Sequence, residues 1–154
     1  MSEQQTLGES SALTDERVSV AIVDDHDAIR LGFRAACDEY NFELLASAPS
    51  VDALMQTIRD AVPQVVVLDL SLADGSLVED NVTRVRELGS QVLIFSIADK
   101  RNLIRAAIKA GAAAIVPKAQ SMDELASAIR LVANGIYVNN TQTTAAIDSD
   151  LEFK

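Results

Sequence analysis

Two adjacent carboxylates (Asp24 and Asp25), a third carboxylate (Asp69), a hydroxyl (Ser96) and an ammonium (Lys118) each follow a short apolar run in this chain. Three carboxylates gathered within a few ångströms repel one another. Each close pair costs about 4 kcal/mol at 4 Å and an effective dielectric near 20. Such a cluster raises a pKa or binds a cation. An all-oxygen donor set favours a hard divalent ion, and a partly hydrated Mg²⁺ needs only one or two direct carboxylates. Asp69 is then free to use its second oxygen as a nucleophile. With Ser96 and Lys118 on the remaining sides, an incoming phosphoryl group meets a donor or positive charge at each oxygen, so placement and charge neutralisation do the catalysis. Taken singly these residues say little. A lone Asp after a strand is a cap or turn former, Asp24 or Asp25 alone can cap a helix, and a lone Ser or Lys carries nothing. The inference rests on four strand ends each supplying the residue type needed.

The elements that must bring them together follow from the hydrophobic pattern. Apolar runs at Val18 to Val23, Phe42 to Ala48, Val65 to Leu68, Val92 to Phe95 and Ala113 to Val116 are short and largely β-branched, as in strands covered on both faces. Glu43 and Ser47 mark the second run as an edge. Amphipathic stretches lie between them. Ile29, Phe33, Ala36, Cys37 and Tyr40 share one helix face, and Val51, Leu54, Met55 and Ile58 share another behind a Ser50 cap. A polar stretch from Glu79 to Leu88 is anchored by Val82 and Val85 and stopped by Gly89. Residues 100–110 end at Gly111, and Ser121 with Glu124 forms a capping box before Leu125, Ala128, Ile129 and Val132. Strict alternation of five strands and five helices predicts an α/β, flavodoxin-like (βα)5 doubly wound sandwich with a parallel sheet in the order 2-1-3-4-5. Ligands of such sheets bind outside the carboxyl ends of the strands, where the acids, Ser96 and Lys118 stand.

The expected organisation is a flexible lead-in over 1–16, a domain over 17–136 and a linker or tail over 137–154. The chain of 154 residues carries 23 acidic and 13 basic side chains, a formal charge of −10. That balance argues against autonomous nucleic-acid binding and against anionic lipid. Cys37 is the single cysteine, which points to a reducing compartment. No apolar run reaches the roughly 18 residues of a membrane span, and the polar N-terminus is unlike a signal peptide. The expectation is a cytoplasmic protein without membrane contact.

The motifs Val23-Asp24-Asp25-His26, Val67-Leu68-Asp69-Leu70, Phe95-Ser96 and Val116-Pro117-Lys118 resemble those of the receiver domains of two-component response regulators. The resemblance covers roughly residues 18–135. The phrases IVDDHDAIRLGF and VVVLDLSLADGS are similar to the NarL/FixJ subfamily, whose members usually carry a C-terminal LuxR-type helix-turn-helix. The resemblance implies Asp69 as phosphoacceptor, with Ser96 as switch hydroxyl and Lys118 as the phosphoryl group's ionic partner. It implies Mg²⁺ as the cofactor, held directly by Asp25, more through water by Asp24, and by Asp69 and the Ser71 backbone carbonyl. It further implies a sensor histidine kinase as partner and a homodimer through the face of the fourth helix, fifth strand and fifth helix. Ile115 stands where the family carries an aromatic switch residue, Ala119 where proline usually follows the lysine, and Ile97 where a small residue often follows the hydroxyl. None of these removes a reacting group.

A helix-turn-helix needs about 60 residues, more than remain after Gly135, so DNA contact is expected only through a C-terminal domain absent from this chain. His26 beside the acids invites a catalytic or metal role, but reads more simply as packing or capping at a helix start. The cluster Lys100, Arg101, Arg105 and Lys109 reads as a solvated face bordering the output surface. Among other functions, a haloacid-dehalogenase-type phosphatase needs an Asp two residues after the nucleophile, where Ser71 stands. A nucleotide or flavin module needs a glycine-rich first turn in place of Asp24-Asp25. A signalling domain, not an enzyme, is the expectation. A receiver that works without phosphorylation, purely as a protein-binding module, and a stand-alone phosphorelay receiver are the alternatives.

Overall fold

The computed structural model describes residues 17–97 and 100–137. The expected lead-in and, beyond Tyr137, the expected tail lie outside the described residues. Five strands alternate with five helices. They are β1 (Ser19–Val23), α1 (Asp27–Tyr40), β2 (Glu43–Ala48), α2 (Val51–Thr57), β3 (Val65–Leu68), α3 (Val78–Glu87), β4 (Gln91–Ser96), α4 (Arg101–Ala110), β5 (Ala114–Pro117) and α5 (Met122–Ala133). The strands pair in parallel in the order β2-β1-β3-β4-β5, the topology the alternating pattern predicts.

The strand sequences explain the two-sided core. In β3 all four residues are buried. Val66 and Leu68 pack with Leu54, Val82 and Ile104 from α2, α3 and α4. Val65 and Val67 face the opposite way, onto Phe33, Leu125 and Ile129 from α1 and α5. A period of two along a strand thus divides one apolar run between two cores. Glu43 is exposed at the start of β2, an edge strand. Pro117 closes β5 at the other edge, where a missing amide costs no ladder bond.

Two helix starts are capped as their sequences predict. Ser50 Oγ accepts the Ala53 amide at 3.1 Å, and Ser121 Oγ accepts the Glu124 amide at 3.2 Å. Gly111 ends α4 at a φ of 112°, and a Cβ there would meet the Arg86 side chain. Both conditions favour glycine. Phe42 falls just outside β2. Its amide closes α1 on the Cys37 carbonyl at 2.9 Å, and the Arg130 guanidinium lies 4.9 Å from its ring centroid.

The ladder continues past the strand ends and so fixes the rim. The Asp24 amide donates to the Ala48 carbonyl at 3.0 Å, the Asp69 amide to Val23 at 3.0 Å, and the Lys118 amide to Ser96 at 2.8 Å. These bonds set the backbones of three rim residues before any side chain acts.

Cys37 lies on the buried face of α1 beside Phe33. Burial pushes its thiol up to about 12, with the Asp38 charge adding to the shift. Because the thiolate is the reactive form, the folded protein should resist an aromatic disulfide reagent at pH 8 and react once unfolded in urea. Rapid labelling of the native chain would place Cys37 outside the core.

Candidate functional site

Asp24 is the first residue after β1 and is buried, while Asp25 is partly exposed. One Asp24 oxygen, Oδ1, accepts the His26 amide at 2.9 Å and lies 2.8 Å from His26 Nδ1. The other, Oδ2, pairs with Lys118 Nζ at 2.8 Å. Both Asp24 oxygens are therefore engaged within the protein. The Arg30 guanidinium grips the same turn, donating to the Asp24 carbonyl at 2.7 Å and to Asp27 at 2.5 Å. Lys118, only 14% exposed, stands 3.6 Å from Asp69 Oδ2. Its shorter contact is with Asp24.

Asp24, Asp25, His26 and Asp69 each bring one ligand atom, and these atoms lie within 4.8 Å of one another. The residues fit a hard cation on two grounds. Three of the four donors are carboxylate oxygens, the set such ions prefer. Asp25 Oδ1 is also buried with no hydrogen-bond partner. It lies 3.1 Å from His26 Nδ1 without being hydrogen-bonded to it. An orphaned carboxylate oxygen is costly unless something positive meets it.

The acids open into a cleft of about 310 Å³ whose lining includes Asp25, His26, Asp69, Ser96, Lys100 and Lys118. Burial drives the Asp69 carboxyl above the usual carboxylate range, and the Asp24 charge adds to this. Lys118 and a backbone hydrogen bond from Ser71 pull it back. The imidazole of His26 is also raised, first by its hydrogen bond to Asp24 and then by that residue's charge, with Lys118 opposing. Ser96 Oγ rests on the Ile97 carbonyl at 3.3 Å. Ile97 itself is 65% exposed at the mouth. Beyond β3 the loop is ordered by Asp74, whose Oδ1 accepts both the amide and the hydroxyl of Ser76.

Every residue the sequence singles out for the site borders this rim: Asp24, Asp25, Asp69, Ser71, Ser96 and Lys118. Two placements differ from expectation. His26 is the N-cap of α1 but makes no side-chain cap bond. Its ring is 62% exposed and turns onto the aspartates instead of packing. Lys100 lines the cleft besides standing at the start of α4's basic face. Arg30 carries no sequence signal of its role, because its link to Asp24 depends on how the first turn of α1 is wound.

A doubly wound sheet with an acidic, lysine-bearing carboxyl edge is the arrangement expected of a signalling receiver. Residues 20–130 match the family described as the response regulator receiver domain, and the chain belongs to that family. Its relatives are of the NarL/LuxR kind. It is 32% identical over 138 residues to the DNA-binding transcriptional activator DevR/DosR of Mycobacterium tuberculosis, over 87% of this chain and 63% of that protein. It is 26% identical over 127 residues to the transcriptional regulatory protein DegU of Brevibacillus brevis, over 80% of this chain and 53% of that one. The receiver domain of the putative response regulator NarL from Mycobacterium tuberculosis superposes with a TM-score of 0.70 at 26% identity, covering 78% of this chain and 98% of that one. The chain thus spans between about half and two thirds of the length of the two whole regulators. Among the described residues no helix is long and apolar enough to cross a membrane.

Proposed function

We propose that the chain accepts a phosphoryl group on Asp69 from the phosphohistidine of a partner sensor kinase and converts that charge into a change of its α4–β5–α5 face. The observation that carries the reading is the convergence of Asp25, Asp69, Lys118 and Ser96 on one cleft at the carboxyl edge of the sheet, with the buried Asp24 carboxylate against them. Asp25 and Asp69, with Asp24 behind them and the Ser71 carbonyl beside them, would hold a Mg²⁺ ion, which when bound neutralises charge between the acids and the phosphoryl oxygens. An Asp69 carboxylate oxygen attacks phosphorus, and the phosphorus–nitrogen bond of the donor breaks. The departing imidazole nitrogen keeps the electron pair and takes up a proton. The product is an aspartyl phosphate. Lys118 then has a stronger attraction than Asp24 and moves toward the phosphoryl oxygens. Ser96 exchanges its long bond to the Ile97 carbonyl for one to the phosphoryl group. Because the Lys118 amide is tied to the Ser96 carbonyl, both loops move together and carry the α4–β5–α5 face with them.

That face is the proposed homodimer surface. The names of the DevR/DosR and DegU relatives support a transcriptional output, through a DNA-binding segment outside this chain. A second reading, a protein-binding receiver that needs no phosphate, draws on Ile97 at the cleft mouth and on Ile115 buried in β5. Beryllofluoride with Mg²⁺, a mimic of the acyl phosphate, separates the two. Amide resonances of the loops after β3, β4 and β5 and of α4 should shift in the wild-type chain and stay still in Asp69→Asn. A wild-type spectrum indifferent to the mimic would favour the second reading.

A further inference from the structure

We infer that His26 acts as a built-in occupant of the cation site, a positioning residue that divalent ion must displace, and so sets the protein's affinity for that ion. The inference rests on the metal reading above and concerns a side chain that reading leaves unused. His26 Nδ1 lies 2.8 Å from Asp24 Oδ1 and 3.1 Å from Asp25 Oδ1. The ring nitrogen is therefore in contact with both carboxylates, its hydrogen bond made to Asp24, in the space a shared cation would claim. The contact does not need an imidazolium, because a neutral ring with its hydrogen on Nδ1 donates equally well to Asp24. Asp25 Oδ1, close to the ring yet without a hydrogen bond, is the oxygen left for an incoming ion.

Two features make His26 a competitor instead of a support. Asp24 does not depend on the ring for its orientation. Its Oδ1 also accepts the residue-26 amide at 2.9 Å, and its Oδ2 is held by Lys118 at 2.8 Å. Removing the imidazole leaves the carboxylate in place and one lone pair freed. The ring also has somewhere to go, since 62% of the side chain is already exposed and it makes no cap bond to α1. Displacement costs one part-exposed hydrogen bond, and a bond of that kind is worth a few-fold to about tenfold in affinity.

The test is calorimetric titration of the metal-free, untagged 154-residue chain with MgCl₂, in the wild type and in His26→Ala, His26→Gln and Asp25→Ala. His26→Ala should bind Mg²⁺ about threefold to tenfold more tightly. His26→Gln, which keeps a side-chain N–H, should fall between. His26 is the only histidine, so its ring resonances are unambiguous and should move on Mg²⁺ saturation as the bond to Asp24 is released. Weaker binding by His26→Ala would make the ring a ligand and overturn the inference. Unchanged affinity, or ring resonances that ignore Mg²⁺, would overturn it too while leaving the metal reading intact. A wild-type chain that binds no Mg²⁺, indistinguishable from Asp25→Ala, would remove both.

Discussion

Asp25→Ala should reduce labelling by a small phosphodonor such as acetyl phosphate by at least about 100-fold at moderate Mg²⁺, while the folded spectrum is kept. The size follows from losing a direct ligand, since even outer partners of metal ligands are worth 10- to 100-fold. The selectivity follows from geometry. Asp25 Oδ1 has no hydrogen-bond partner, so its loss removes a binding group without unpairing another. Asp24→Ala should behave differently although it removes a neighbouring carboxylate of the same type. Asp24 accepts from the His26 amide and holds Lys118. Its loss should also lower stability by about 1–3 kcal/mol, because a largely buried ammonium is left with only the 3.6 Å contact to Asp69. Phosphoryl incorporation and urea unfolding on both variants check the contrast. Labelling of Asp25→Ala at the wild-type level would remove that residue from the metal site.

The division between what the sequence made legible and what it hid falls between backbone and side chain. β3 was readable to the residue because Val65–Leu68 is a largely β-branched apolar run bounded by polar residues, and it is buried on both faces. The edge position of β2 was readable from Glu43. Strand ends slipped by a residue where polar side chains do not mark the last ladder bond. Gln91 opens β4 because its amide reaches the Gln64 carbonyl at 2.9 Å, a pairing that its side chain does not announce. The rim was legible because strand order alone sets which loops are neighbours. What stayed hidden was which partner each side chain takes. Lys118 rests nearer Asp24 than Asp69, Ser96 leans on its own loop, and His26 folds back over the aspartates. Each depends on rotamers chosen in a crowded field of charges, where several arrangements suit the same residue types.

That field predicts a stability gain from removing the reactive group. Asp69→Asn should melt about 3–8 °C higher than wild type in metal-free buffer at pH 7, about 1–2 kcal/mol for a domain of this size. Repulsion from Asp24 and attraction to Lys118 at 3.6 Å oppose each other at similar magnitude, roughly 4 kcal/mol each at an effective dielectric near 20. Burial then decides the sign, and it raises the Asp69 carboxyl above its unfolded value. A raised carboxyl pKa means that the native state holds the proton more tightly than the unfolded chain. The associated stability is complete below the unfolded value, near 3.9, and is lost as pH rises through the folded value. Asparagine imitates the protonated acid at every pH. The advantage of Asp69→Asn should therefore be full at neutral pH and shrink as pH falls toward 4 and wild-type Asp69 takes up its proton. Saturating Mg²⁺ should narrow the gap at pH 7 by stabilising the wild type through binding to the native state alone. Thermal melts at the two pH values, with EDTA and with Mg²⁺, test each step. A neutral-pH melting point for Asp69→Asn at or below that of the wild type would mean that Lys118 outweighs burial, and that the acceptor carboxylate is held in the fold without strain.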